Sequence, residues 1–283
     1  MTNFIKQCKG TDSDSIRDLE DLWLNYSPWY SSIKYDGQYV QIHVYENSVD
    51  FFTSAGKLYK NQLLANEILK ALPEGFTNII LEGEYLGCGN GKLGGRKDAA
   101  AVTTLRTLTN KGEVPSAAHK VRIFDLVDFN LEFKDRLKIL KSFNFQSDLI
   151  KLVDYTEYLS LSLDDAKKLA MSLITKDFEG LFCKSSKHLY LEGKRVKTAL
   201  KFKAKHIKEA RVIDIMLGSG KYSNMIGSLI CKDDLGLSFS VGSGLTDSIR
   251  SLTKDEVVGK TCQFKYESKT KTYVMPSFIK FIN

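Results

Sequence analysis

The sequence predicts an α+β fold in two parts, a larger mixed domain over residues 1–205 and a small β-barrel over residues 206–283. Up to Lys205, runs that alternate apolar and polar residues are interleaved with runs of helical periodicity. Beyond it only short β-rich stretches remain, ARVIDIMLG, MIGSLICKDDLGLSFSVGSG and KTCQFKYES, broken by Gly, Asp and Ser. With 283 residues and 43% hydrophobic content, the chain can bury one large core or two modest ones without staples.

Residues 15–24 suit a short helix. Residues 39–45 alternate apolar and polar positions with aromatic and β-branched residues prominent, as in a half-buried strand. Residues 59–72 carry apolar side chains at helical spacing, and Pro73 marks their end. Strands are expected at 79–86, 121–126 and 180–183, and a helix at 164–174 capped by Ser162 or Asp164. The C-terminal runs suit a five-stranded barrel of the OB type, a common nucleic-acid scaffold.

Lysine and arginine number 41 against 34 acidic residues, a net charge of +7 that favours an anionic partner, nucleic acid first. The five cysteines are scattered and never spaced C-x-x-C, which argues against a disulfide framework or a zinc site. No apolar h-region opens the chain and no run reaches the length of a membrane span, so a cytoplasmic, reducing location without membrane contact is expected. His43, His119, His188 and His206 have neither metal-ligand nor triad spacing, and no catalytic role falls to them.

The chemistry sits in pairs two residues apart, a spacing that puts both members on one face of an extended chain. Lys34 precedes Asp36 and Gly37 in SIKYDGQYV, Glu82 and Glu84 flank Gly83 in IILEGEYLG, and Lys201 and Lys203 flank Phe202 in ALKFKAK. Exposed strand faces are routinely charged. These pairs, however, stand among strongly apolar neighbours, where a charge needs a pocket or a partner.

The order of these motifs resembles the covalent nucleotidyltransferase motifs of ATP-dependent DNA ligases. KYDG (34–37), LEGEYLG (81–87), RIFD (122–125), EGLFCK (179–184) and LKFK (200–203) follow the family's order, and GKYSNMIGSLI, VGSGLTD and MPSF resemble its OB domain. The resemblance implies a nucleotidyltransferase (adenylation) domain of antiparallel sheets with flanking helices, then an OB-fold, and a DNA ligase that seals 3′-hydroxyl/5′-phosphate nicks through lysyl-AMP and DNA-adenylate. The roles would be those of DNA replication, repair and recombination.

By the same resemblance Lys34 is the nucleophile on the α-phosphate of ATP, and Asp36 orients it. An amine of ordinary pKa about 10.4 is mostly protonated at neutral pH, so its site must favour loss of a proton. Glu82, Glu84 and Glu179 are expected to cluster as hard oxygen ligands for Mg²⁺ (or Mn²⁺). Phe124 resembles the residue that stacks on adenine, although most strand aromatics are simply core. Lys201 and Lys203 would neutralise the α-phosphate. Lys184 matches a basic family position near the adenine or phosphate, and a plain solvated lysine is its alternative. Gly37, Tyr39 and Glu84 complete the expected nucleotide contacts.

Three positions depart from the family pattern. Tyr39, Ser54 and Val274 stand where KxDGxR, S-R-x-G and RxPxF have arginine, and Lys271 or Lys280 is the candidate replacement for the last. A lysine would be a point charge without bidentate geometry. Arg96, Lys97, Arg106 and Lys111, between two motifs, are candidates for phosphate-backbone contacts on nicked duplex DNA, with a solvated basic helix as their alternative. A monomer is expected. Two alternatives use the same residues differently: an RNA ligase or capping-type nucleotidyltransferase, and a non-catalytic OB nucleic-acid-binding protein with a retired pocket.

Overall fold

The computed structural model describes residues 4–87, 119–158, 162–174, 178–203, 205–269 and 271–282. The chain divides into two compact units, Met1–Lys203 and Ala204–Asn283.

The first unit runs β1 (Lys9–Asp12), α1 (Leu19–Asn25), β2 (Trp29–Lys34), β3 (Gln38–Val44), β4 (Val49–Thr53), β5 (Leu58–Tyr59) and α2 (Gln62–Ala71). It continues with β6 (Ile79–Gly87), β7 (His119–Leu126), α3 (Phe133–Ser142), β8 (Ile150–Leu152), β9 (Thr156–Tyr158), α4 (Leu163–Ile174), β10 (Gly180–Ser185) and β11 (Arg195–Lys203). These strands form two sheets, ordered β1-β11-β10-β2-β9 and β5-β4-β3-β6-β7-β8. The sheets are mixed rather than purely antiparallel, because β1–β11 and β7–β8 pair in parallel.

Each sheet has its own core. Helix α2 lays Leu64, Ala65, Ile68 and Ala71 on the second sheet, over Val40, Ile42, Phe51, Leu81 and Ile123. This helix is shorter at its start than the sequence spacing implies. Tyr59 belongs to β5 instead, and the Asn61 side chain accepts a hydrogen bond from Leu64 N at 3.1 Å, capping the helix there. On the first sheet, α4 packs Ala166 and Ala170 against Leu181, Cys183, Leu200 and Phe202, beside the stacked pair Trp23 and Trp29.

The expectation that Lys34 and Asp36 share one strand face is corrected. Lys34 is the last residue of β2 in the first sheet, Tyr35–Gly37 cross to the second sheet, and β3 begins only at Gln38. Gly37 is needed at this crossing for space, since a Cβ there would lie 2.4 Å from the Tyr85 carbonyl oxygen and 2.7 Å from Leu86 Cδ2.

The second unit has β12 (His206–Leu217), β13 (Ile226–Lys232), β14 (Ser238–Val241), α5 (Asp247–Arg250), α6 (Lys254–Val257) and β15 (Thr261–Tyr266). A two-stranded ribbon, β16 (Ser268–Lys269) with β17 (Tyr273–Val274), precedes β18 (Ser277–Ile282). The five-stranded sheet is ordered β14-β13-β12-β15-β18. Its two edges are linked by one isolated parallel bridge, Ser243 to Ser277, in place of a full ladder. Gly244, at φ +80°, permits that approach, because a Cβ there would meet the Phe278 carbonyl oxygen at 2.3 Å. Val212, Leu229, Cys231, Cys262 and Phe264 fill the interior.

Candidate active site

Facing strands of the two sheets enclose a cleft of about 380 Å³ in the first unit. Lys34, Tyr39, Glu82, Glu84, Phe124, Glu179, Lys184, Lys201 and Lys203 line it, so side chains far apart in the sequence meet in one place. Asp36 and Gly37 are not among the lining residues.

The pairing of β2, β10 and β11 explains the cationic end. Gly180 stands opposite both Lys34 and Lys203, and Phe182 opposite Lys201. Glu179, just before β10, therefore lies between two lysines. Lys34 Nζ donates a very short hydrogen bond to one carboxylate oxygen, and Lys203 Nζ lies 2.9 Å from the other. Burial pushes the Glu179 carboxyl up, but Lys34 and Lys203 outweigh it and hold the group below its ordinary value. Burial lowers Lys201, as do Arg195, Lys203 and Lys34, while Asp12 opposes them.

Glu84 accepts a hydrogen bond from Gly37 N at 2.9 Å. Burial raises its carboxyl to about 7, with Glu179 and Asp36 adding to the rise and Lys34 and the Gly37 amide opposing it. Glu82 is also raised to about 7, by burial first and by Asp125. It is 2% exposed, and one of its oxygens accepts from both the Tyr39 hydroxyl and the Tyr190 hydroxyl, the latter at 2.6 Å.

Glu82, Glu84 and Glu179, the three carboxylates expected to hold a metal, all line the cleft. Among the described residues no group of three His, Cys, Asp or Glu side chains is placed to hold a metal ion. One Glu82 oxygen is taken up by two phenols; the irregularity of the β6–β7 pairing lies on β7, where Phe124 is passed over, while β6 pairs regularly with β3 and keeps Glu82 and Glu84 on the cleft face. Glu84 and Glu179 remain as hard oxygen donors beside Lys34. Mg²⁺ characteristically takes one or two carboxylates together with substrate phosphates, so this pair fits it without an all-protein cage.

Lys184 is not a solvated lysine. It is 3% exposed, and its ammonium donates to Asp125 at 2.6 Å and to the Phe124 carbonyl at 3.1 Å. Aromatic rings surround it, Phe133 at 4.5 Å, Phe124 at 5.3 Å and Phe182 at 5.8 Å from ring centroid to nitrogen. Asp125 also takes both prongs of the fully buried Arg136, at 2.9 and 3.1 Å. Burial opposes its charge, yet Lys184 and Arg136 hold the Asp125 carboxyl well below the usual range. His188 is lowered to about 3, chiefly by burial, and bonds Thr198 at 2.9 Å.

Sequence reasoning missed several of these groups. Tyr190 and Arg136 belong to no motif, and Asp125 is legible only as the last residue of RIFD. Tyr155 donates to the Phe124 carbonyl at 2.8 Å from a loop with no motif signal. Gln7, Cys8, Lys9 and Gly10 line the cleft from a stretch whose short strand has no clear alternation. Phe124 lines the cleft half-buried, tilted 6.4 Å from Tyr39, so it is not an ordinary core residue. Arg96, Lys97, Arg106 and Lys111 lie outside the described residues.

A family model described as the ATP dependent DNA ligase domain matches residues 13–203, and one described as a DNA ligase OB-like domain matches residues 217–282. A DNA ligase of Archaeoglobus fulgidus is 28% identical over 214 residues, covering 71% of this chain and 37% of that protein. One of Methanothermobacter thermautotrophicus is 27% identical over 245 residues, covering 77% of this chain and 41% of that one. The chain therefore spans well under half the length of these curated relatives. Among solved structures, one from a study of Lig E DNA ligases, titled as DNA binding with a minimal scaffold, superposes with a TM-score of 0.68 at 18% identity over 100% of both chains. The ATP-dependent DNA ligase of bacteriophage T7, in complex with ATP, gives 0.56 at 13% identity over 98% of each chain. Both likenesses speak for the fold.

Proposed function

This chain belongs to the ATP-dependent DNA ligase family, and from that membership and the cleft's geometry we propose that it seals nicks in duplex DNA through a lysyl-AMP intermediate. One observation carries the reading. Lys34 ends a strand inside a cleft where Glu179 ties it to Lys203, with Lys201 two residues before Lys203 on β11. A nucleophilic amine among cations is suited to a polyanionic electrophile such as a triphosphate.

In this reading Lys34 gives up a proton to solvent water and its Nζ attacks the α-phosphorus. The P–N bond forms as the bond to the β-phosphate oxygen breaks, and pyrophosphate leaves with the electron pair. Arrival of the triphosphate competes with Glu179 for Lys34 and Lys203, freeing the amine to move. Lys201 and Lys203 balance the charge that builds on the phosphoryl oxygens. Phe124, fixed through its carbonyl by Lys184 and Tyr155, offers its ring to the adenine. Bound Mg²⁺, held by Glu84 and Glu179, would supply charge neutralisation at the phosphates. AMP then passes to the 5′-phosphate at a nick, and attack by the adjacent 3′-hydroxyl releases it.

We further assign phosphate-backbone contacts to Arg96, Lys97, Arg106 and Lys111, and a pyrophosphate-facing role to Lys271 or Lys280, both exposed on the second unit. The protein is proposed to act as a monomer in a reducing compartment, in replication, repair or recombination. Its four described cysteines are free, and no described helix is long and apolar enough to cross a membrane.

The test incubates protein, Mg²⁺ and labelled ATP, then adds a duplex with one 5′-phosphate/3′-hydroxyl DNA nick beside one with RNA at the nick. Labelling and sealing of DNA, lost in Lys34→Ala, is the expected result. Sealing of RNA alone, labelling by GTP, or no labelling would assign the chain to an RNA ligase, a capping-type transferase or a retired site.

A further inference from the structure

Strand β1 lies just before the region that the DNA ligase family model matches, which begins at residue 13, yet it forms one wall of the cleft. Its pairing with β11 is irregular. Lys9 and Gly10 stand beside Arg195 and Val196, the register then jumps, and Thr11 and Asp12 stand beside Leu200 and Lys201. The jump is pinned on both sides. Arg195 Nη1 donates to the Gly10 carbonyl at 2.6 Å, and Thr11 Oγ1 donates to the Val196 carbonyl at 2.8 Å. Upstream, Lys9 N donates to the Lys194 carbonyl at 2.8 Å and Cys8 N to the Tyr190 hydroxyl at 3.2 Å.

The consequence is that a carboxylate is set beside Lys201. One Asp12 carboxylate oxygen is buried and has no hydrogen-bond partner among the described residues. A buried, unpartnered acceptor is costly, and the arrangement is intelligible where a mobile cation stands within reach. Besides Asp12, the charges that act most on Lys201 are Arg195 and Lys203 on its own strand and Lys34 on β2, all cations, while Glu179 is already engaged by Lys34 and Lys203. Among these groups Asp12 is the one that favours the ammonium form.

We propose that Asp12 is a positioning residue for Lys201, the counter-charge that keeps this lysine cationic and directed into the cleft until a phosphate replaces it. The proposal rests on the reading of Lys201 as a phosphate-facing lysine. It places a functional residue just outside the family-matched region, where the register jump sets it opposite Lys201.

The experiment compares the full-length chain with Asp12→Asn, an isostere that removes the charge and keeps the shape, in single-turnover lysyl-AMP formation from pH 6.5 to 9.5. ATP should bind as well or more tightly, since one negative charge beside a polyanion is gone. The rate constant should fall by about threefold near neutrality and on the order of tenfold at the alkaline end, as the ammonium is lost at lower pH. Asp12→Glu should restore the wild-type profile. A second readout needs no catalysis: lysines carrying ¹³C-methyl groups are titrated by NMR, with the Lys201 resonance identified by its loss in Lys201→Arg. Titration at lower pH in Asp12→Asn, or in Asp12→Ser if the first variant does not fold, supports the pairing. An unchanged titration, or a rate loss equal at all pH values and accompanied by weaker ATP binding, overturns it. If the wild type forms no lysyl-AMP, the reading of the cleft fails, while the resonance still decides the role of Asp12.

Discussion

Replacing Asp125 by Asn should unfold the first unit far more readily than any surface change. Asp125 is the sole anion shown bonding both Lys184 and Arg136, whose side chains are 4% and 0% exposed among the described residues. Removing one partner of a buried ion pair typically costs about 3–5 kcal/mol, because the remaining charge is left without compensation. With a urea slope of roughly 3 kcal/mol/M for a unit of this size, the midpoint should fall by about 1–1.7 M. The chain's two tryptophans, Trp23 and Trp29, are both buried in the first unit, so their fluorescence reports its unfolding specifically. Adding Lys184→Met should recover part of the loss, since the orphaned ammonium goes too. The sign with pH follows from the depressed carboxyl: its contribution is complete above the ordinary carboxylate range of about 4 and is lost as pH falls through the native value. The acid limb of the wild-type stability curve should therefore flatten in Asp125→Asn. A midpoint shift under about 0.3 M, or no coupling to Lys184→Met, would refute the reasoning.

The remaining expectations follow from the same geometry. Glu82→Gln keeps an acceptor for both phenols and removes a carboxyl raised to about 7, so urea midpoints at pH 5 and pH 8 should differ less than in the wild type. The sign is that a raised carboxyl stabilises below its unfolded value near 4.3, an advantage lost as pH rises through 7. Glu82→Gln should also cost lysyl-AMP formation less than about tenfold, against roughly a hundredfold or more for Glu84→Gln; equal losses would restore Glu82 to the metal site. Gly37→Ala places a methyl 2.4 Å from the Tyr85 carbonyl and should destabilise the unit by about 1–3 kcal/mol, read as a melting shift, with labelling lost. In the second unit Arg250 donates to the Ile226, Gly227 and Gly242 carbonyls at 2.8 Å each, so Arg250→Ala should lower its unfolding transition while leaving tryptophan fluorescence in place.

Local patterns made part of this molecule legible. The strand of residues 39–45, the helix ending before Pro73 and the β-rich tail each carry their own periodicity, and the structure has β3, α2 and an OB-like unit there. The pair Lys201 and Lys203 lines the cleft because β11 is regular where they lie. Pairing by twos failed where the backbone departs from a plain strand. Lys34 and Asp36 are separated by a crossing between sheets, whereas Glu82 and Glu84, on a strand that pairs regularly with β3, share the cleft as their spacing implies. Strand β2 gave no alternating signal because four of its six residues, Trp29–Ser32, are buried in succession. Arg136 stands on the apolar face of its helix, three residues after Phe133 and four before Leu140, but no local pattern names the anion that makes a charge tolerable there; only the fold brings Asp125 to it.

The missing arginine at position 39 is not replaced by another cation at the same place. The Tyr39 hydroxyl donates to Glu82, accepts from Gln41 at 2.9 Å, and shares its carboxylate partner with Tyr190. An arginine there would hold Glu82 ionised, whereas two phenols leave burial dominant and the carboxyl raised to about 7. The inner wall of the cleft thus loses a positive and, for part of the time at neutral pH, a negative charge together. A substitution of Tyr39 by arginine alone would restore only the cation, into a space already occupied by Gln41 and the Tyr190 hydroxyl. The cationic work at the phosphates then falls on Lys34, Lys201 and Lys203, which is why the placement of an anion beside Lys201 matters more in this chain than the local motif implies.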